Sequence, residues 1–153
     1  MTEDRALRAW WAARGIALGA HAGAIDQAGE PYIEHVARVA EAFPAGSTEG
    51  IVAWLHDVVE DTALTEDDLA AFGAGNVFTG EVIEAVVAIS RREGEKGSRA
   101  DTYYERVRAN PTALAVKLAD IADNTNVRRL AMLGMQTRER LIAKYAHALE
   151  MLS

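Results

Sequence analysis

Apolar residues recur along most of the chain at spacings of three and four, which is the period of a helix with one buried face. The strict alternation of apolar and polar residues that is typical of a half-buried strand is absent. Glycine, proline and capping residues divide the pattern into eight predicted helices: residues 6–24, 31–40, 49–59, 65–73, 77–90, 101–107, 112–133 and 136–152. The chain is therefore predicted to be all-α, with one domain over residues 1–153 that forms a bundle of seven or eight helices.

Several helix ends carry recognisable signals. Thr48 and Asp101 are expected to cap the helices that follow them, and Thr65 with an aspartate three residues later resembles a capping box. The segment 91–100 is polar, contains two glycines and is predicted to be an exposed loop. In the first helix the expected core positions are Trp10, Ile16 and Leu18.

The composition narrows the class of protein. Half of the residues are hydrophobic and a quarter are charged, which is typical of a globular domain. The absence of cysteine excludes disulfides, thiolate zinc sites and cysteine nucleophiles, and it fits a cytoplasmic location. A net charge of −7 argues against nucleic-acid binding. No apolar run approaches the ~20 residues that cross a bilayer, so no membrane association is expected.

An adjacent histidine and aspartate, His56-Asp57, lie on the third predicted helix. Neighbouring helix residues point about 100° apart, so this pair can hold one ion only if other helices complete its shell. His35 on the preceding helix and Asp120 within the long apolar helix can supply the missing ligands. A carboxylate in such an apolar segment needs compensation, and a bound cation provides it.

These residues match the H…HD…D pattern of the HD superfamily of metal-dependent phosphohydrolases. The segments GEPYIEH (29–35), LHDVVEDT (55–62) and KLADIADN (117–124) resemble successive motifs of the hydrolase domain of RelA/SpoT enzymes. They are also similar to the stand-alone small alarmone hydrolases of the Mesh1 type. The resemblance runs from about Ala20 to Tyr145, with the motifs in the family's order.

The resemblance implies a reaction and a cofactor. The cofactor would be Mn²⁺ or another first-row divalent cation, and the reaction would remove pyrophosphate from the 3′ position of a guanosine polyphosphate. Glu60 and Asp61 correspond to the family's ED pair, which positions or deprotonates the attacking water. Asn124 and Tyr145 correspond to residues that contact the nucleotide.

One segment departs from the family pattern. Basic residues usually precede the GEPY motif and meet the substrate's phosphates, whereas here residues 25–28 are neutral to acidic. Arg91, Arg92, Lys96 and Arg99, in the charged loop, could supply replacement charge, and Arg91 and Arg92 are predicted to bind substrate.

Alternatives follow from the same residues. The metal site could serve another nucleotide or phosphoester, or the domain could bind a nucleotide without catalysis. Asp120 could be the salt-bridge partner of Lys117, Asn124 could cap a helix, and Tyr145 could belong to the core. The expected partner is a small phosphorylated nucleotide, and the sequence leaves a homo-oligomer open.

Overall fold

The structure, a computed structural model, describes residues 2–153 except for the side chain of Ser98. The described residues contain no β-strand, and a single bridge joins Ile25 to Pro31. The all-α prediction is therefore confirmed. A short 3-10 helix and ten α-helices follow in this order: α1 Glu3–Ala20, α2 Tyr32–Glu41, α3 Thr48–Leu55, α4 Val58–Asp61, α5 Glu66–Gly75, α6 Gly80–Ile89, the 3-10 helix Gly97–Arg99, α7 Ala100–Arg108, α8 Pro111–Asn124, α9 Val127–Ala131 and α10 Met135–Leu152.

Ten α-helices replace the predicted seven or eight because two predicted helices are each divided. The predicted helix 49–59 ends at Leu55, and α4 begins at Val58. Asp57 has φ −108° and ψ −2°, outside the regular helical range, so the chain changes direction at the His56-Asp57 pair. The predicted helix 112–133 breaks at Asn126, whose side chain accepts a hydrogen bond from the Arg128 amide and caps α9.

Three other sequence predictions were wrong. Ser47, not Thr48, caps α3 through a 3.0 Å hydrogen bond from the Gly50 amide, and Thr48 is the first helical residue. Asp101 does not cap α7, which begins at Ala100. Leu18 is 39% exposed and lies outside the core. The capping box at Thr65 is confirmed, since its side chain and that of the aspartate three residues later bond each other's backbone amides.

The core is built around α3, which packs against α1, α2, α6 and α8. Its residues from Gly50 to Leu55 are all buried, as expected of a helix that is apolar on every side. Gly50 is required there, because a Cβ atom would lie 2.9 Å from the Pro44 carbonyl oxygen. This packing places the C-terminal end of α3 between α2 and α8. None of the helices described is long and apolar enough to cross a membrane.

Arg106 on α7 anchors the loop that connects α6 to α7. Its guanidinium contacts both carboxylate oxygens of Glu95 at 2.7 and 2.8 Å and the carbonyl oxygens of Ala88 and Ser90 at 3.2 and 3.0 Å. This two-point contact is the strong geometry for a guanidinium and a carboxylate. The loop predicted to be exposed is therefore fixed at its centre.

We expect Glu95→Gln to lower the free energy of unfolding at pH 7 by about 2 kcal/mol, as for hydrogen bonds to charged groups. The hydrogen bonds from Arg106 lower the pKa of Glu95 from 4.5 to about 2. The carboxylate thus stabilises the fold fully above pH 4.5, and this contribution disappears as the pH falls toward 2. Urea unfolding at several pH values measures it, with Glu93→Gln in the same loop as the control. A difference between wild type and variant that does not shrink in acid would contradict the assignment.

Candidate metal centre and adjoining cavities

Four side chains from three parts of the fold converge beside the end of α3. His35 comes from α2, His56 and Asp57 from the break between α3 and α4, and Asp120 from α8. Each offers one ligand atom, and these atoms all lie within 4.8 Å of one another. The structure thus brings together the four residues that the sequence predicts as metal ligands.

Hydrogen bonds orient both imidazoles toward a common point. Nδ1 of His56 donates to the carbonyl oxygen of Ala53 at 2.6 Å, and Nδ1 of His35 donates to Asp123 at 2.6 Å. Each ring therefore turns its Nε2 toward the carboxylates. Nε2 of His35 lies 3.0 Å from Asp120 Oδ1, and Nε2 of His56 lies 3.0 Å from Asp57 Oδ2. The contact between Nε2 of His56 and Asp57 does not have hydrogen-bond geometry. This buried nitrogen therefore has no hydrogen-bond partner among the described residues.

This donor set fits a divalent metal ion. Two imidazole nitrogens with two carboxylate oxygens suit a first-row divalent cation, and a ligand histidine usually donates its second N–H to a carboxylate or carbonyl, as both do here. A cation at this point would also satisfy the unpartnered Nε2 of His56. The four residues could therefore hold a metal ion.

Charged neighbours set the ionisation of the centre. Burial opposes ionisation of Asp120, but the ammonium of Lys117, 3.0 Å from its Oδ2, holds the pKa of Asp120 well below its usual range. Burial also opposes protonation of His35 and His56, yet the carboxylates around them raise the pKa of both. A metal ion must displace these protons, so its affinity is expected to rise with pH.

The salt-bridge alternative for Asp120 is confirmed, and the prediction that this residue binds a metal ion stays a prediction. Its Oδ2 contacts Lys117, as in the salt-bridge alternative, while its Oδ1 faces the two histidines. Asp57 is held similarly, because the hydroxyl of Tyr32 donates to its Oδ2. Both carboxylates are therefore positioned by a residue outside the four-residue cluster.

Glu60 and Asp61 lie on α4, shortly after the His56-Asp57 pair. Oε1 of Glu60 accepts a 2.7 Å hydrogen bond from the Arg91 amide, which joins α4 to the loop after α6. Loss of hydration and the nearby Asp57 carboxylate raise the pKa of Glu60 to about 7 and that of Asp61 to about 6. Carboxylates with such pKa values are suited to accept a proton near neutral pH.

A cavity of about 280 Å³, which we call the Tyr145 cavity, opens beside Tyr32. Its walls combine apolar residues with the side chains of Asn124 and Tyr145, both predicted to contact a nucleotide, and with Arg129 and Asp26. Asn124 also donates to Asp120 Oδ1 at 3.1 Å, so the cavity reaches the metal centre. Tyr145 is buried in α10, which also fits its alternative role in the core.

A second cavity of about 500 Å³, the basic cavity, is lined by residues of α7, of α10 and of the loop after α6. Among the described residues, those that line it include no carboxylate. Arg91, predicted to bind substrate, lines it and stacks on the ring of Tyr103 at 4.2 Å. Arg92 lines neither cavity, and its side chain is exposed. The wall also contains the cationic residues Lys96, Arg140 and Lys144, together with His147.

The sequence did not indicate which residues orient the proposed ligands through hydrogen bonds. The carboxylate of Asp123 accepts a hydrogen bond from Nδ1 of His35, and it also contacts Arg38 at 2.7 Å and Arg129 at 2.8 Å. Its one available signal was its position three residues after Asp120 in α8, which puts both carboxylates on the same face. Arg129 gave no such signal, because its partner Asp26 is 103 residues away along the chain.

No protein-family model matches the chain. Among curated proteins, it is 31% identical to guanosine-3′,5′-bis(diphosphate) 3′-pyrophosphohydrolase of Haemophilus influenzae over 133 residues, which cover 82% of this chain and 19% of that protein. It is 30% identical to the bifunctional (p)ppGpp synthase/hydrolase SpoT of Escherichia coli, with 82% and 18% covered. It is 34% identical to the bifunctional (p)ppGpp synthase/hydrolase RelA of Mycobacterium tuberculosis, with 87% and 19% covered.

The chain therefore spans less than a fifth of the length of these relatives. Among solved structures, the fold is similar to one described as a metazoan ortholog of SpoT that hydrolyzes ppGpp. The TM-score is 0.74 and the sequence identity 22%, over 94% of this chain and 85% of that one. This likeness establishes a shared fold.

Proposed function

This chain is a homologue of the RelA/SpoT proteins, and from that relationship we propose that it is a metal-dependent hydrolase that removes pyrophosphate from the 3′ position of guanosine tetra- or pentaphosphate. The observation that carries the proposal is the cluster of His35, His56, Asp57 and Asp120, whose ligand atoms lie within 4.8 Å of one another beside the Tyr145 cavity. We propose Mn²⁺ as the ion. The cytoplasmic location expected from the sequence stays a prediction.

When bound, the cation polarises a phosphoryl oxygen and lowers the pKa of a water molecule. The residues of the chain supply the remaining functions. Glu60, with a pKa raised to about 7, accepts the proton of the attacking water, and Asp61 helps to orient that water. The oxygen of the attacking water forms a bond to the phosphorus attached to the 3′ oxygen, and the bond between that phosphorus and the 3′ oxygen breaks. The 3′ oxygen takes up a proton from solvent, and pyrophosphate is released.

The two cavities suggest how the substrate lies. The Tyr145 cavity combines apolar walls with a few polar groups, as nucleoside sites do. The basic cavity has the charge that a second phosphate group requires. It also contains Arg91, whose amide contacts Glu60, so it is next to the proposed base. Cations from α10 and the loop after α6 thus replace those missing from residues 25–28.

The proposal is tested by phosphate and pyrophosphate release from a panel of nucleotides, with and without added Mn²⁺. The panel contains guanosine tetraphosphate, its adenine analogue and reduced nicotinamide adenine dinucleotide phosphate. We expect Mn²⁺-dependent release of pyrophosphate from the guanine compound. Turnover of another member alone would support a hydrolase of a different nucleotide, which the neutral to acidic segment 25–28 favours. Binding without turnover by metal-loaded protein would support a non-catalytic nucleotide-binding module.

Lys144→Gln is expected to raise KM for guanosine tetraphosphate by about tenfold, the value of one charge-assisted hydrogen bond, and to leave kcat within a factor of about two. Lys144 lies among like charges in the wall of the basic cavity, where loss of hydration and then the nearby Arg91 lower its pKa. Steady-state kinetics measure the change, and Arg108→Gln, an exposed site on α7 outside both cavities, is the control. An unchanged KM would show that the basic cavity does not bind the substrate.

A further inference from the structure

One guanidinium lies between the wall of the Tyr145 cavity and the metal centre. Nη2 of Arg129 contacts Asp26 Oδ2 at 2.9 Å. Its Nη1 contacts Asp123 Oδ2 at 2.8 Å and Asn124 Oδ1 at 2.9 Å. The side chain of Arg129 is 20% exposed and that of Asp26 is 7% exposed, so water weakens these contacts little.

Two of these partners each contact a predicted metal ligand. Asp123 Oδ2 accepts from Nδ1 of His35 at 2.6 Å, and Nδ2 of Asn124 donates to Asp120 Oδ1 at 3.1 Å. Arg129 therefore lies directly beside His35, with its Nη1 3.1 Å from Nδ1 of that ring, and it is one residue removed from Asp120. A residue that holds the partner of a ligand determines the direction of that ligand.

The third partner belongs to the cavity wall. Asp26 Oδ1 accepts hydrogen bonds from the amides of Ala28 and Glu30 at 2.9 and 3.0 Å. Its side chain thus fixes the short segment that lines the Tyr145 cavity, in the place where the resemblance would put basic residues. A displacement of this segment is passed to Arg129 through the Asp26 contact.

We propose that Arg129 is a positioning residue that couples the wall of the Tyr145 cavity to the metal centre, through Asp26 on one side and Asp123 with Asn124 on the other. The inference rests on the proposed metal-dependent function. It assigns to Asp26 an effect on metal affinity, although Asp26 contacts none of the four ligands. It also makes metal affinity depend on how the cavity wall is held, so that the two sites bind interdependently.

The experiment measures Mn²⁺ dissociation constants by electron paramagnetic resonance of the free ion, without substrate. The variants are Asp26→Asn, Arg129→Met and the double variant. We expect Arg129→Met to weaken Mn²⁺ binding by about tenfold, the lower end for the partners of metal ligands. Asp26→Asn should weaken it by about threefold, and the double variant should equal Arg129→Met alone, since coupled residues are not additive. Asp67→Asn on the exposed surface is the matched control.

Each outcome decides the inference. Wild-type affinity in Asp26→Asn, or effects that multiply in the double variant, would overturn the coupling and leave the metal centre intact. Failure of the wild type to bind Mn²⁺ would overturn the metal centre, and the coupling with it. Circular dichroism melting distinguishes loss of metal affinity from loss of fold. If Arg129→Met does not fold, Arg129→Lys replaces it, because one ammonium cannot bridge Asp26 and Asp123 as the guanidinium does.

Discussion

Asp57→Ala is expected to abolish Mn²⁺ binding and to reduce kcat/KM on the proposed substrate by at least about a thousandfold. Asp57 is the proposed ligand at the break between α3 and α4, and its Oδ2 lies 3.0 Å from Nε2 of His56. The substitution removes one of the two carboxylates, Asp57 and Asp120, whose negative charges would balance the charge of the cation. Loss of metal catalysis costs several kcal/mol of transition-state stabilisation, and each 1.36 kcal/mol is about tenfold in rate.

The measurement combines the metal content of the purified protein with pyrophosphate release at saturating Mn²⁺. Asp67→Ala provides the control, because it makes the same substitution at an exposed position of α5. Alanine also leaves the Tyr32 hydroxyl without its acceptor, so circular dichroism must show a folded variant. Metal content and activity that both equal the wild type would exclude Asp57 as a ligand and refute the proposed centre.

The cluster of four proposed ligands was predictable because its members lie in short motifs, whereas the backbone geometry that brings them together was not. Val58 and Val59 continue the apolar pattern of α3, so the periodicity gives no sign that the helix ends before His56-Asp57. On a continuous helix these side chains would point about 100° apart. The change of direction at Asp57 allows both to face the same point, and tertiary contacts with α2 and α8 favour it over helix continuity.

The basic cavity was less predictable, because its charged residues come from distant parts of the chain. The sequence indicated a charged loop but could not separate Arg91, which stacks on Tyr103, from Arg92, which is exposed. Cations of α10 join Arg91 only through the packing of α10 on α7. In the sequence, the acidic Asp26 indicated that a basic residue for binding the substrate was missing. In the fold, however, the guanidinium of Arg129 contacts Asp26 at 2.9 Å.

Glu60→Gln is expected to lower kcat by about 10²- to 10⁴-fold, the contribution of a positioned general base. Glutamine keeps the size of the side chain and an oxygen that can accept the hydrogen bond from the Arg91 amide, so the loop after α6 should stay in place. The change therefore removes the proton-accepting group and little else. Glu84→Gln, at an exposed position on α6, is the matched control.

The dependence on pH identifies the base. A base acts when it is unprotonated, so kcat/KM should rise with pH and level off above the pKa of Glu60, which is about 7. A bound cation favours the carboxylate and shifts this rise to lower pH in the Mn²⁺-loaded enzyme. In the Glu60→Gln variant, kcat/KM should no longer rise between about pH 5 and pH 9. A Glu60→Gln variant that keeps kcat within about threefold of the wild type, together with an inactive Asp61→Asn variant, would show that the base is Asp61. The carboxyl of Asp61 also follows the His56-Asp57 pair, and its pKa is about 6.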